Sequence, residues 1–174
     1  MAGSLIKIQE EIVSSAVATV ELGGTNWDSS YDVYMVKLND LLADSTSAGI
    51  RYRFLASSSP DTSANYDYAQ YRLQAQSAFD TTGQTNKTEV NFTGTIMGTT
   101  NASVNGIIYL FNSNNPSEYS FATNEISAFY YGQSVAGYQG GAVLTVAQAT
   151  NGIQFFMTSG NIASGTFTLY GLAK

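Results

Sequence analysis

The chain reads as all-β, a jelly-roll-like antiparallel β-sandwich of about ten strands, and three observations carry that reading. Apolar residues alternate with polar ones in many short segments, the period of a half-buried strand. Clusters of Gly, Ser, Asn, Asp and Pro separate these segments at spacings of roughly 10–17 residues. No segment holds a helical apolar stripe over the length of a helix. Long connections of Greek-key type favour a jelly roll over a simple meander, and the lack of a fixed internal period argues against a propeller or solenoid. With 174 residues, the chain is expected to form one domain spanning 1–174.

Taken in order, the opening run divides at Ser14 and Ser15 into Leu5 to Val13 and Ala16 to Leu22. Ile6, Ile8, Ile12 and Val13 favour a strand over the competing helix. A loop carrying the only tryptophan, Trp27, leads to Tyr31 to Leu42, in which Tyr34, Val36 and Leu38 alternate with Val33, Met35 and Lys37. Ile50, Tyr52 and Phe54 then point one way, and Arg51 and Arg53 the other, toward solvent and nearby carboxylates. SSSPDTSAN is a loop. Tyr66 to Gln76 is read as a strand on its alternating tyrosines, against a helical reading suggested by Ala, Gln and Leu.

FDTTGQTNKT reads as a loop, and TEVNFTGTIMG as a strand with Val90, Phe92 and Ile96 on one face. NGIIYLFN follows, then a turn at Pro116 and two long runs, Tyr119 to Tyr131 and Ala136 to Gln148. The glycine-rich YYGQSVAGYQGG between them lacks the lysine and following helix of a phosphate loop and is expected to be a flexible tip or bulged edge. The last stretch, Gly152 to Lys174, reads as a hairpin. Phe155, Met157, Phe167 and Leu169 are its candidates for the sandwich core or a subunit seam, and its second strand is expected in the middle of a sheet.

Composition excludes much chemistry. Histidine and cysteine are both absent, so no imidazole base, catalytic triad, thiol nucleophile, disulfide or histidine-ligated zinc can be drawn. Charged residues make up 11%, and the net charge is −6, with 7 scattered basic residues; nucleic acid is not an expected partner. The low charge leaves a neutral skin of Ser, Thr, Asn, Gln, Gly and Tyr. No apolar run approaches the ~20 residues of a membrane-spanning helix, and no secretion signal is visible, so a soluble chain with no membrane partner is expected.

Carboxylates and tyrosines remain as the groups on which a glycosidase or similar hydrolase could run. The close pairs Glu10/Glu11, Asp28/Asp32, Asp40/Asp44 and Asp61/Asp67 lie mostly beside loops, where solvated acids are the ordinary outcome. The loops NWDSSYD and SPDTSANYD lack the ligand density of a dedicated calcium site. No catalytic residue, metal ligand or cofactor is therefore expected. Candidate partner contacts are Trp27 and the tyrosines flanking the glycine-rich tip, Tyr130, Tyr131 and Tyr138, whose rings can stack on sugars or fill a neighbour's groove.

The C-terminal stretch contains Ser159-Gly160-Asn161-Ile162-Ala163-Ser164-Gly165-Thr166 and then Leu169-Tyr170-Gly171-Leu172. The opening strand, Ser/Ala link and Ala16 to Leu22 strand stand at the other end. In these features the chain resembles a widespread group of tailed-bacteriophage virion proteins: small jelly-roll domains occurring as capsid decoration proteins, head fibres and tail-fibre heads. The resemblance does not extend through Ser57 to Thr88. It implies a non-enzymatic structural protein, a homotrimer docked on the major capsid or tail protein of a virion assembled in the host cytoplasm. The alternative it implies is a receptor- or carbohydrate-binding tail-fibre head that recognises a host surface glycan.

Overall fold

The computed structural model describes residues 4–75, 79–96, 101–130 and 134–173. The described chain is all-β and has thirteen strands: β1 (Leu5–Val13), β2 (Thr19–Gly23), β3 (Val33–Ala43), β4 (Ile50–Ala56), β5 (Ser59–Pro60), β6 (Tyr66–Gln74), β7 (Asp80–Lys87), β8 (Val90–Asn91), β9 (Val104–Phe111), β10 (Ser120–Tyr130), β11 (Ser134–Leu144), β12 (Gly152–Met157) and β13 (Ile162–Leu172). They form an eight-stranded sheet, β1-β13-β3-β9-β10-β11-β6-β7, and a five-stranded one, β2-β12-β4-β5 with β8 also on β4. All the pairings are antiparallel.

The winding is that of a jelly roll. Early strands pair with late ones in reverse order: β1 with β13, β2 with β12, β3 with β9 and β4 with β8. This is one long ribbon rolled so that successive strands fall in opposite sheets. Two insertions extend it. The segment from β5 to β7 lies inside the β4–β8 connection, β10 and β11 lie between β9 and β12, and together β10, β11, β6 and β7 widen the large sheet past β9.

The apolar inner faces of both sheets form one core. Phe155 of β12 meets Phe167 of β13 across the sandwich at 5.3 Å between ring centres, and Tyr52 of β4 lies 5.3 Å from Phe92. Leu169, Phe167 and Phe155 are completely buried and Met157 nearly so. All four therefore belong to the core, not to a subunit seam. Aromatic side chains that each bury roughly 150–250 Å² dominate such an interior.

Four expectations are corrected. The glycine-rich stretch expected as a flexible tip or bulged edge belongs, from Ser134 to Gly141, to β11, which pairs with β10 and β6 without a register shift and lies inside the sheet. Gly152 to Lys174 is not a hairpin: β12 lies in the small sheet, and β13 lies between β1 and β3 in the large one. Its second strand lies inside the sheet, as expected. The intervening turn carries the chain across the sandwich, with Gly160 at a φ of 71° and Asn161 tied to Asp44. Asp80–Lys87, read as a loop, is a strand whose eight residues are all exposed. Of Thr88 to Gly98, read as one strand, only β8 is a strand among the described residues; Phe92 turns inward, Thr93 Oγ1 accepts from Ile50 N at 2.9 Å, and Ile96 bridges Ala48 and Tyr130.

The two free edges of the large sheet differ. β1 carries a register shift between Lys7 and Gln9, and the Gln9 amide reaches across to β2, accepting from Gly23 N at 2.7 Å and donating to Glu21 O. A bulge, flanking charges and this clasp blunt the β1 edge. β7 pairs with β6 alone among the described residues.

Candidate functional site: the outer face of the large sheet

One face of the large sheet packs on the small sheet, and the other faces solvent. Register places one row of the outer face as Lys7, Tyr170, Met35, Tyr109, Thr123, Gly141, Ala69 and Gly83, a residue from every strand between β1 and β7. Side chains in such a row are lateral neighbours. The bulky half, Tyr170 to Tyr109, gives way to Thr, Gly, Ala and Gly. A trough therefore crosses β10, β11, β6 and β7, roughly 14 Å long at ~4.8 Å per strand.

The trough has unlike walls. On one side the adjoining row brings Phe121, Val143 and Asp67; on the other it brings Glu125, Gln139 and Tyr71. Two hollows result, one of about 550 Å³ bounded by Tyr71, Tyr109, Glu125 and Gln139, the other of about 570 Å³ along Phe121, Val143, Gly141 and Gly83. Gln139 Nε2 donates to Glu125 Oε1 at 3.1 Å, which fixes both side chains on the rim. Aromatic faces beside hydroxyl, amide and carboxylate groups accommodate the apolar face and the hydroxyls of a sugar, or the side chains of a neighbouring protein.

Apolar side chains on this face stay open to solvent: Tyr71 is 56% exposed, Val135 53%, Leu73 45%, Phe121 44% and Phe129 37%. The period-2 pattern of β10 contains this information in ambiguous form. Phe121, Thr123, Glu125, Ser127 and Phe129 alternate with Ser120, Ala122, Asn124, Ile126 and Ala128, and size alone would turn the phenylalanines inward. They point outward, while Ala122, Ile126 and Ala128 join the core cluster together with Tyr138, the lateral neighbour of Ile126 on β11.

The sequence-predicted contacts occupy other places. Trp27 stacks on Tyr34 with ring centres 3.8 Å apart, and its Nε1 donates to Asn114 Oδ1 at 2.7 Å. Asn114 Nδ2 in turn donates to Tyr31 O and Tyr34 Oη, so Trp27 is a wedge in a hydrogen-bonded corner. Tyr130 is half-buried beneath the Arg72 guanidinium, 4.5 Å from its ring centre. Tyr138 is a core residue, 2% exposed, and burial raises its phenol pKa. Tyr131 lies outside the described residues. The structure thus buries Tyr138 and half-buries Trp27, and the exposed rings beside the trough are those of Tyr71 and Phe121.

The ionisable groups serve local structure. Burial disfavours the charged form of Glu89, but the Thr88 hydroxyl and the guanidinium groups of Arg51 and Arg53 outweigh it and lower the pKa. Arg51 Nη1 lies 2.6 Å from Glu89 and Arg53 Nη2 3.2 Å, which gives both arginines a carboxylate partner. Asp61 accepts from Ser63 and Gln148, Asp28 from Ser30, Asp67 from Asn86 and Asp44 from Asn161. Four of the paired carboxylates are therefore turn caps and clasps. Among the described residues no three carboxylates gather into a group able to hold a metal ion. No described helix is long and apolar enough to cross a membrane.

Comparison of the chain with protein-family models, with curated proteins and with solved structures finds no match.

Proposed function

We propose that this chain is a non-enzymatic virion structural protein, a capsid decoration (cement) or head-fibre protein that works by self-association and by docking on a phage particle. The observation that supports it best is the outer face of the large sheet. Four strands beyond the jelly roll add a broad, nearly neutral face studded with Tyr71, Leu73, Phe121, Phe129 and Val135. A face of this kind gains roughly 25 cal/mol per Å² of apolar surface covered, before the costs of association. The resemblance of the C-terminal motif supplies the phage context and a three-fold assembly. Particles lacking the protein, mixed with purified chain and pelleted, are expected to carry it down; the double variant Tyr71→Ala/Phe121→Ser should weaken binding by more than about tenfold with its melting temperature unchanged. Chain left in the supernatant at saturating concentration defeats the reading.

The trough itself favours a second reading, a carbohydrate-binding head for a host surface glycan. Tyr71 and Tyr109 flank a hollow floored by Thr123 and rimmed by Glu125 and Gln139. A glycan array and a cell-adsorption assay separate the two: glycan-specific binding lost in Tyr71→Ala supports this second reading, and particle binding without cell binding supports the first.

A further inference from the structure

We infer that β7 is a docking edge for β7 of a second copy of this chain, joining two large sheets into one continuous sheet about a two-fold axis at Gly83. The inference goes beyond the reading above, because it concerns the isolated chain whether or not a particle is its partner.

β7 has an unusual standing in the fold. Its eight residues are exposed on both faces, and it is held along one edge only, by β6. A strand bonded on one side and covered on neither is marginal by itself, and its free row of N–H and C=O groups is a template for another strand. Devices that normally protect such an edge are missing from its centre. Thr81, Thr82, Gly83, Gln84 and Thr85 are neutral, and no proline interrupts them. Beside it, Phe79 is 77% exposed, the highest value for a large apolar side chain among the described residues.

Charge and register identify the occupant. The only charged residues of β7 are Asp80 at one end and Lys87 at the other. Asp80 is opposite Arg72, Gln84 opposite Tyr68 and Lys87 opposite Tyr66, so the extra residue between Gln84 and Lys87, where Asn86 has a φ of 55°, returns Lys87 to the face that Asp80 occupies. With that bulge counted as one position, Gly83 is the centre of the strand. An antiparallel partner related by a two-fold at Gly83 then places Gly83 opposite its own copy, Thr82 opposite Gln84, and Asp80 opposite Lys87 on the same face. The charge contact occurs twice by symmetry. Lys87 is free for it, having no ion pair within the chain among the described residues, whereas Asp80 also binds Arg72 at 2.8 Å. A parallel partner would instead align like charges end to end. The glycine at the axis adds room: a Cβ there would meet nothing nearer than 4.0 Å.

Such a contact closes as a pair. It is compatible with a three-fold contact elsewhere on the molecule, in which case trimers join two by two.

The test is sedimentation equilibrium of the purified chain over a dilution series, with hydrogen exchange at both ends of the series. Expected are a mass that rises to an even multiple of the monomer and β7 amides that gain protection only when concentrated. Lys87→Glu, which disturbs no ion pair within the described chain, should weaken the association about tenfold, since two attractive cross-strand pairs become repulsive. Asp80→Lys combined with Lys87→Glu should restore it to within about threefold of wild type. Melting temperatures of the diluted variants show whether each is folded. A monomer at every concentration overturns the inference. A trimer indifferent to both substitutions also overturns it, while leaving the self-association of the proposed function intact.

Discussion

Gly171 shows how a single missing side chain shapes this protein. A Cβ at that position would fall 2.2 Å from Cδ2 of Tyr31, so β13 runs beneath the tyrosine ring only because the residue is glycine. Gly171→Ala is expected to cost about 2 kcal/mol through overpacking, and Tyr31→Ala in the same chain should recover part of that loss. Chemical denaturation of the two single variants and the double variant measures the coupling. At the crossing between sheets, Asp44 accepts from Asn161 N at 2.7 Å and from Asn161 Nδ2 at 3.0 Å. Asn161→Ala removes one bond, for a cost of about 1 kcal/mol, whereas Asp44→Ala removes both and should lower the melting point further. These contacts give physical reasons for the S-G-N and Y-G motifs. Both are legible in the sequence as patterns, but their partners, Asp44 and Tyr31, lie more than a hundred residues away and are not.

Elements were legible where burial is one-sided and illegible where it is not. β3, β4, β9 and β13 have one face in the core, and their period-2 patterns locate them. β7 buries neither face, so DTTGQTNK carries no apolar alternation and resembles a loop. β8 is read within too long a strand for another reason: its two residues are too short for a period of their own, and its pairing with β4 is secured by the ion pairs of Glu89 with Arg51 and Arg53 beside it. That link predicts a pH dependence. The folded-state pKa of Glu89 lies below its ordinary value, so its contribution is fully present above the unfolded-state value and is lost as pH falls through the depressed one. Glu89→Gln should be about 2 kcal/mol less stable than wild type at neutral pH, and the difference should shrink below about pH 4. Urea titrations of both proteins at neutral and acidic pH measure that difference directly.

For the molecule as a whole, rolling the ribbon places first and last strands side by side. Leu5 is opposite Leu172, and Ala173 N donates to Ser4 O at 2.9 Å, so the described ends are already adjacent. Period-2 patterns cannot reveal this, because they do not say which strands are neighbours; the sheet switch at β12 escapes them for the same reason. The adjacency also bears on folding. β1 and β13 are separated by nearly the whole chain, and closing so long a loop before any pairing rewards it slows folding. A circular permutant that links 173 to 4 by a short polar linker and opens the exposed turn at Pro116–Ser117 turns β13 and β1 into a local hairpin while cutting no strand. It is expected to keep the wild-type circular dichroism and a melting temperature within about 8 °C of wild type, as for a change near 1–2 kcal/mol in a domain of this size. Its refolding should be several-fold faster in stopped-flow measurements. An equal or slower rate at unchanged stability would mean that the β1–β13 closure is not part of the folding barrier, leaving the β10–β11 extension or the β4–β8 link as the step that forms it.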